Sequence, residues 1–145
     1  MRVLRDAGVP TAQPIGIVEI TPEREYVLVT GMIPDAVHID RAEIDDDVVD
    51  QGLAIVRRLW DAGLAHRDIK PGNLLVADGR VSLIDASFAE VRPSPWREAV
   101  DLANMMLTLS LAVPAERVYE RARRVFSPDD VAEAFAATRT VTVPS

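Results

Sequence analysis

The sequence predicts an α+β fold, mostly helical, with one small β-hairpin near its start and a second at mid-chain. Three observations carry that reading. Val48, Val49, Leu53, Val56, Leu59 and Trp60 recur near helical spacing, with Arg57, Arg58 and Asp61 turned outward and Gly63 where such a helix ends. Residues 97–111 hold Leu102, Ala103, Met105, Met106, Leu107, Leu109 and Leu111, apolar nearly all round, as suits the central helix of a helical body. Two pairs of short apolar runs, 15–20 with 26–30 and 74–76 with 81–85, are each joined by turn residues, Thr21-Pro22-Glu23-Arg24 and Ala77-Asp78-Gly79-Arg80.

The remaining elements follow from punctuation. Residues 1–7 read as the last turns of a helix, closed by Gly8 and followed by Pro10. Residues 35–43 are polar and read as a short helix or loop. Asp45-Asp46-Asp47 are better taken as cap and first-turn carboxylates, facing the positive end of a helix dipole, than as a metal site. Trp60, Met105 and Met106 read as core. Residues 116–126 form an amphipathic helix whose Arg121, Arg123 and Arg124 read as a solvated face. Ser127 is a cap and Pro128 a first helical residue, for a helix reaching about residue 138, and residues 140–145 are a tail.

Composition narrows the function. At 145 residues the chain is one domain's worth, long enough to bury a proper core. Hydrophobic content of 48% with 27% charged is ordinary for a soluble globular protein. A net charge of -7 argues against nucleic acid as partner, since phosphate binding needs a basic face. With no cysteine, disulfides and thiolate metal sites are excluded. No signal pattern occurs in residues 1–10. The most apolar run, 102–114, is short and contains Asn104, Thr108 and Ser110, so no membrane span and a cytoplasmic location are expected.

The stretch that carries chemistry is His66-Arg67-Asp68-Ile69-Lys70-Pro71-Gly72-Asn73, with Asp85 following at the end of Val81-Ser82-Leu83-Ile84-Asp85. These residue types suit phosphoryl transfer. One carboxylate is free to take an acceptor's proton, and oxygen ligands serve a hard divalent cation that bridges phosphates. The order of helix, loop, hairpin and Asp is the context that the pattern H-R-D-x-x-x-x-N requires. On these residues the chain resembles the protein-kinase-like superfamily, over roughly residues 1–126.

That resemblance implies a mostly α-helical large lobe at 35–145, a hinge at 31–34, and a partial small lobe at 1–30. It implies ATP and Mg²⁺ as cofactors, and transfer of the γ-phosphate to a hydroxyl of a protein or a small molecule. Asp68 would be the base, Asn73 and Asp85 the metal ligands, and Lys70 the contact to the γ-phosphate. Thr30 takes the gatekeeper position, with Gly31 and Ile33 as backbone contacts to adenine. His66, Arg67 and Asp101 take supporting parts. In the family the His packs beneath the loop, the Arg meets an activation-segment phosphate (no phosphosite is supplied here), and a buried Asp bonds the backbone around both. Such a carboxylate needs that partner, since burying it alone costs several kcal/mol.

The chain also departs from the family. Lys70 is its only lysine, and none of its seven glycines forms a G-x-G, so the strand lysine and Gly-rich loop that clamp the phosphates are missing. The resemblance therefore implies a truncated or partial kinase domain, with the small lobe supplied by a separate chain or an upstream segment. Ala86-Ser87 stand where most protein kinases have Phe-Gly, and the short segment from Asp85 to Asp101 holds no A-P-E element. In this the chain is more similar to RIO-type, lipopolysaccharide-kinase-like or other atypical members. Two further readings stay open. One is a kinase-like binding or regulatory module without turnover. The other is a small-molecule kinase of the aminoglycoside or choline type, although those usually lack Arg67 and the Lys70-Pro71 pair.

Overall fold

The computed structural model describes residues 1–21, 23 and 25–139; Pro22 and Arg24 of the first turn and the tail 140–145 lie outside the described residues. The fold is α+β. Its helices are α1 (Arg2–Asp6), α2 (Asp46–Asp61), α3 (Pro95–Leu109), α4 (Ala115–Ala122) and α5 (Pro128–Thr138). Its strands are β1 (Pro14–Glu19), β2 (Tyr26–Thr30), β3 (Val37–His38), β4 (Leu64–Ala65), β5 (Leu74–Ala77), β6 (Arg80–Leu83) and β7 (Glu90–Val91).

Helix α2 begins where its carboxylates dictate. Asp45 caps it, accepting from the Val48 amide at 2.9 Å, with Asp46 and Asp47 in the first turn. Its buried face, with Val49, Leu53, Val56 and Leu59, lies on α3. Gly52 sets how near the two helices come, since a Cβ there would stand 3.1 Å from Met105 Sδ. Helix α3 is entered through Ser94 as cap and Pro95 as first residue, two positions ahead of the apolar run, and it ends at Leu109, so Leu111 falls outside and is 66% exposed. It packs against α2, α4, α5 and β4, and so occupies the middle of the helical body.

Helix α4 is shorter than its amphipathic pattern, ending at Ala122. Phe126 is buried beyond it, edge-on to Trp60 with ring centroids 4.9 Å apart. Ser127 and Asp130 form a reciprocal capping box at the start of α5. Arg121 corrects the expectation of a solvated face. Its side chain is 15% exposed, with Nη2 and Nη1 each 2.6 Å from the carboxylates of Asp46 and Asp50. Arg117 also pairs with Asp46, and the two guanidiniums, Arg117 foremost, hold that carboxyl well below the usual range. A helix pattern alone does not reveal that α4 lies against the start of α2.

The sheets are small and antiparallel: β1 with β2, β3–β5–β6, and β4 with β7. Asp78 (φ 50°) and Gly79 (φ 68°) make a two-residue, left-handed turn between β5 and β6, the type whose twist matches a hairpin. Within 35–43 the expected short helix or loop contains β3, paired to β5, and then a 3₁₀ turn at Ile39–Arg41. Strands of two residues, such as β3, β4 and β7, are too short to leave a periodicity. The apolar core joins α1–α5 with Leu64, Leu74, Val76, Val81 and Leu83, and among the described residues it includes none from 13 to 38. Among the described residues no helix is long and apolar enough to cross a membrane.

Candidate active site

The chain leaves α2 through Gly63 and enters the loop 66–73 by way of β4, whose Leu64 and Ala65 are buried. Pairing of β4 with β7 places Ala65 opposite Glu90. His66 is fully buried, and its ring ties two segments together. Nε2 lies 3.0 Å from the Ile84 carbonyl, and Nδ1 accepts from the Asp68 amide at 3.3 Å. A ring that accepts at Nδ1 carries its proton on Nε2, so Nε2 donates and the imidazole is neutral. Burial pushes its pKa below the ordinary value, against the opposing pull of the Ile84 carbonyl and the Asp68 and Asp85 carboxylates.

Beneath the loop, fully buried Asp101 of α3 accepts from the His66 amide at 2.6 Å and the Arg67 amide at 2.9 Å. Burial raises its pKa to about 6, with the two amides pulling it back, so at neutral pH it is ionised with one amide on each oxygen. That grip holds Arg67 in the left-handed region at φ 69°. The Arg67 guanidinium reaches Glu90 at 3.6 Å, and Arg97 reaches the same carboxylate at 2.9 Å. Sequence reasoning missed Glu90. Its place depends on the β4–β7 pairing, for which two residues give no signal.

Asp68 stands above this base. Its Oδ2 takes the Asn73 amide at 2.9 Å and the Lys70 ammonium at 2.8 Å. Asn73 Nδ2 also bonds the Asp68 carbonyl at 2.8 Å, so the nitrogen end is committed and Oδ1 is the end left for a cation. The Asn73 carbonyl accepts from the Ile84 amide at 2.9 Å, which brings Asp85 to the same place. Asp85 was expected to end a strand. Strand β6 stops at Leu83, and Asp85 follows in a left-handed conformation at φ 60°, its Oδ1 held by the Ser87 amide at 3.2 Å and by the Ser87 hydroxyl. Those two donors, the hydroxyl foremost, lower the Asp85 pKa. Ser87 was legible only as a departure from Phe-Gly, although a Ser two positions after an Asp is itself a turn signal.

Asp68, Lys70, Asn73 and Asp85 thus come together, with His66, Arg67 and Asp101 beneath them. Among the described residues no hydrogen bond or ion pair links Thr30, Gly31 or Ile33 to that cluster. The Gly31 amide is spent on the Gln13 carbonyl at 2.7 Å, and Thr30 is exposed at the end of β2. Ile33 lines a cavity of about 750 Å³ with Pro10, Gln51, Ile55 and Arg80, at the turn end of the β5–β6 hairpin. None of the four clustered residues lines it.

The donor set can be tested against the cation the sequence implies. Asn73 Oδ1 and the free Asp85 Oδ2 are hard oxygens, and Mg²⁺ typically takes one or two carboxylates together with phosphates and water. The residues fit that cation. Among the described residues no group of three His, Cys, Asp or Glu side chains could hold a metal, so a cation here would draw on the Asn and on its ligand's phosphates. In comparisons with known proteins, no family model and no curated protein matches the chain.

Proposed function

We propose that the chain is a partial kinase-like domain, a cytoplasmic ATP- and Mg²⁺-dependent phosphotransferase acting on a hydroxyl acceptor. The observation that supports this reading is the run of contacts from Asp68 through Asn73 to Ile84, the residue before Asp85. Bound MgATP would supply the phosphoryl group and a cation to offset its charge. Asp68 then takes the acceptor's proton, while Asn73 Oδ1 and Asp85 Oδ2 hold the cation. Lys70, resting on Asp68, is within reach to turn toward the transferring phosphate. The two left-handed residues of the cluster, Arg67 and Asp85, add support: each such conformation costs on the order of 1–3 kcal/mol and persists where the surroundings enforce it.

The β1–β2 hairpin supports the partial character. Ile15, Ile17, Val18, Ile20 and Leu28 are exposed on both of its faces, as expected of a sheet whose remaining strands come from a separate chain or an upstream segment. Without a second lysine for the phosphates, the 145 residues alone turn over about a hundredfold or more below a complete enzyme. Thermal denaturation with ATP, with and without Mg²⁺, tests the reading. A Mg²⁺-dependent rise in Tm that Asp85→Asn abolishes is expected, and a Tm unmoved by millimolar MgATP refutes it.

A kinase-like binding module without turnover is the second reading. It is favoured by the Lys70 ammonium lying 2.8 Å from the oxygen that would take the proton. A Mg²⁺-dependent Tm rise with no ATP consumed, under any acceptor, selects it.

A further inference from the structure

Beside the loop lies a cavity of about 140 Å³ that none of the roles above uses. Ile69, Lys70 and Pro71 wall it on the loop side, and Asn104, Leu107 and Leu111 on the side of α3 and the turn after it. Lys70, Asn104 and Thr108 are the residues with polar side chains in a lining that is otherwise apolar. Among the described residues neither Asn104 nor Thr108 spends its side chain on a hydrogen bond. A mostly apolar cavity with a few unspent polar groups is the usual make-up of a small-ligand site.

Size and position restrict what it takes. An apolar cavity of about 150 Å³ accepts a benzene-sized group. A second cavity of the same volume, between Met106, Ala115 and Phe135, shares Leu107 with it but is lined by no residue of the loop 66–73. The loop-side cavity differs because Lys70, one of its walls, is 2.8 Å from Asp68 Oδ2. Lys70 thus joins this space to the carboxylate that would take the acceptor's proton.

We infer that the cavity walled by Ile69, Lys70, Pro71, Asn104, Leu107 and Leu111 seats an apolar, benzene-sized group of the phosphate acceptor, with Asn104 reading one polar atom on it. The inference rests on the phosphotransferase reading and narrows its substrate class to alcohols that carry such a group a few bonds from the hydroxyl. The same chemistry could come from a small aryl or alkyl alcohol, or from a serine flanked by a bulky apolar side chain.

The probe is 4-fluorobenzyl alcohol, followed by fluorine NMR on the full chain. Saturable binding at millimolar concentration is expected, weakened at least tenfold by Leu111→Asp and left unchanged by Ala115→Phe, which blocks the other cavity. Because Leu111 is largely exposed, its variant folds. Asn104→Leu should weaken competition by 4-hydroxybenzyl alcohol, whose ring carries a polar atom of its own, yet leave binding of 4-fluorobenzyl alcohol unaffected. Competition by a blocked Leu-Ser peptide below the concentration needed for unlabelled benzyl alcohol identifies a peptide source, and the reverse order a small molecule. No saturable binding, or binding removed by Ala115→Phe and indifferent to Leu111→Asp, overturns the inference. MgATP-induced stabilisation of Leu111→Asp is measured alongside. If MgATP stabilises both chains while the probe binds neither, the cavity assignment falls alone; if MgATP stabilises neither chain, the phosphotransferase reading falls instead.

Discussion

The two β-hairpins of this protein are read equally well from sequence and end in opposite circumstances. In β5–β6, Leu74, Val76, Val81 and Leu83 are buried, β3 extends one edge, and α2 packs against β6. Gln51 of α2 even fastens the turn, donating to the Gly79 carbonyl at 2.7 Å and accepting from the Val81 amide at 2.9 Å. In β1–β2 nearly every residue is exposed, including Ile17 at 69%, and among the described residues the two strands form a sheet only with each other. A two-stranded ribbon is marginal by itself, so what makes one hairpin a rigid part is the layer beneath it. The rigid one carries Asn73 at its start and leads into Asp85 at its end, where positional precision is needed.

The sharpest test of this contrast is truncation of the supported hairpin. Leu83→Ala should cost about 2–5 kcal/mol, the usual range for a fully buried Leu, measured by urea unfolding. Next comes the carboxylate under the loop. Asp101→Ala leaves the His66 and Arg67 amides without acceptors, at about 1–3 kcal/mol for a buried group left unpaired, and should lower Tm while abolishing MgATP-induced stabilisation.

A smaller effect is expected from pH, through two groups of opposite sign. The folded pKa of His66 is depressed below its unfolded value of about 6.5, so its contribution is present above that pH and is lost as pH falls through the lowered value. Asp101, raised from 3.8 to about 6, contributes fully below its unfolded value, and that contribution is lost as pH rises through 6. Tm measured from pH 7.5 to 4.5 should therefore fall less steeply on the acid side in His66→Gln than in the wild type. The smallest effect belongs to the exposed hairpin: Ile17→Ala should change unfolding free energy by less than about 0.5 kcal/mol. A cost near that of Leu83→Ala would show β1–β2 to be supported after all.

Much was legible along the chain because its signals are local. Helix α2 with its Asp45 cap, the Ser127 cap of α5, the strand Tyr26–Thr30 and the Asp-Gly turn all depend on residues within a few positions of one another. The loop 66–73 was legible for the same reason, and Asp101 was placed beneath it only through a resemblance. Glu90 between two arginines, Arg121 across the helix pair, β3 on the edge of β5 and the left-handed turn at Asp85 were not legible. All but the Asp85 turn, which Ser87 holds from two positions on, join segments well apart in sequence, through contacts that no spacing encodes.

By itself, then, the sequence determined which of the longer segments are helix or strand, to within two residues where the helices begin, and which short loop holds Asp68 and Asn73. Tertiary structure alone decided which hairpin is buried, that Asp85 turns back beside Asn73, and that a small apolar cavity opens next to Lys70. Backbone propensity and capping act over one or two turns of chain. Burial and electrostatic pairing depend on what the fold sets on the other side.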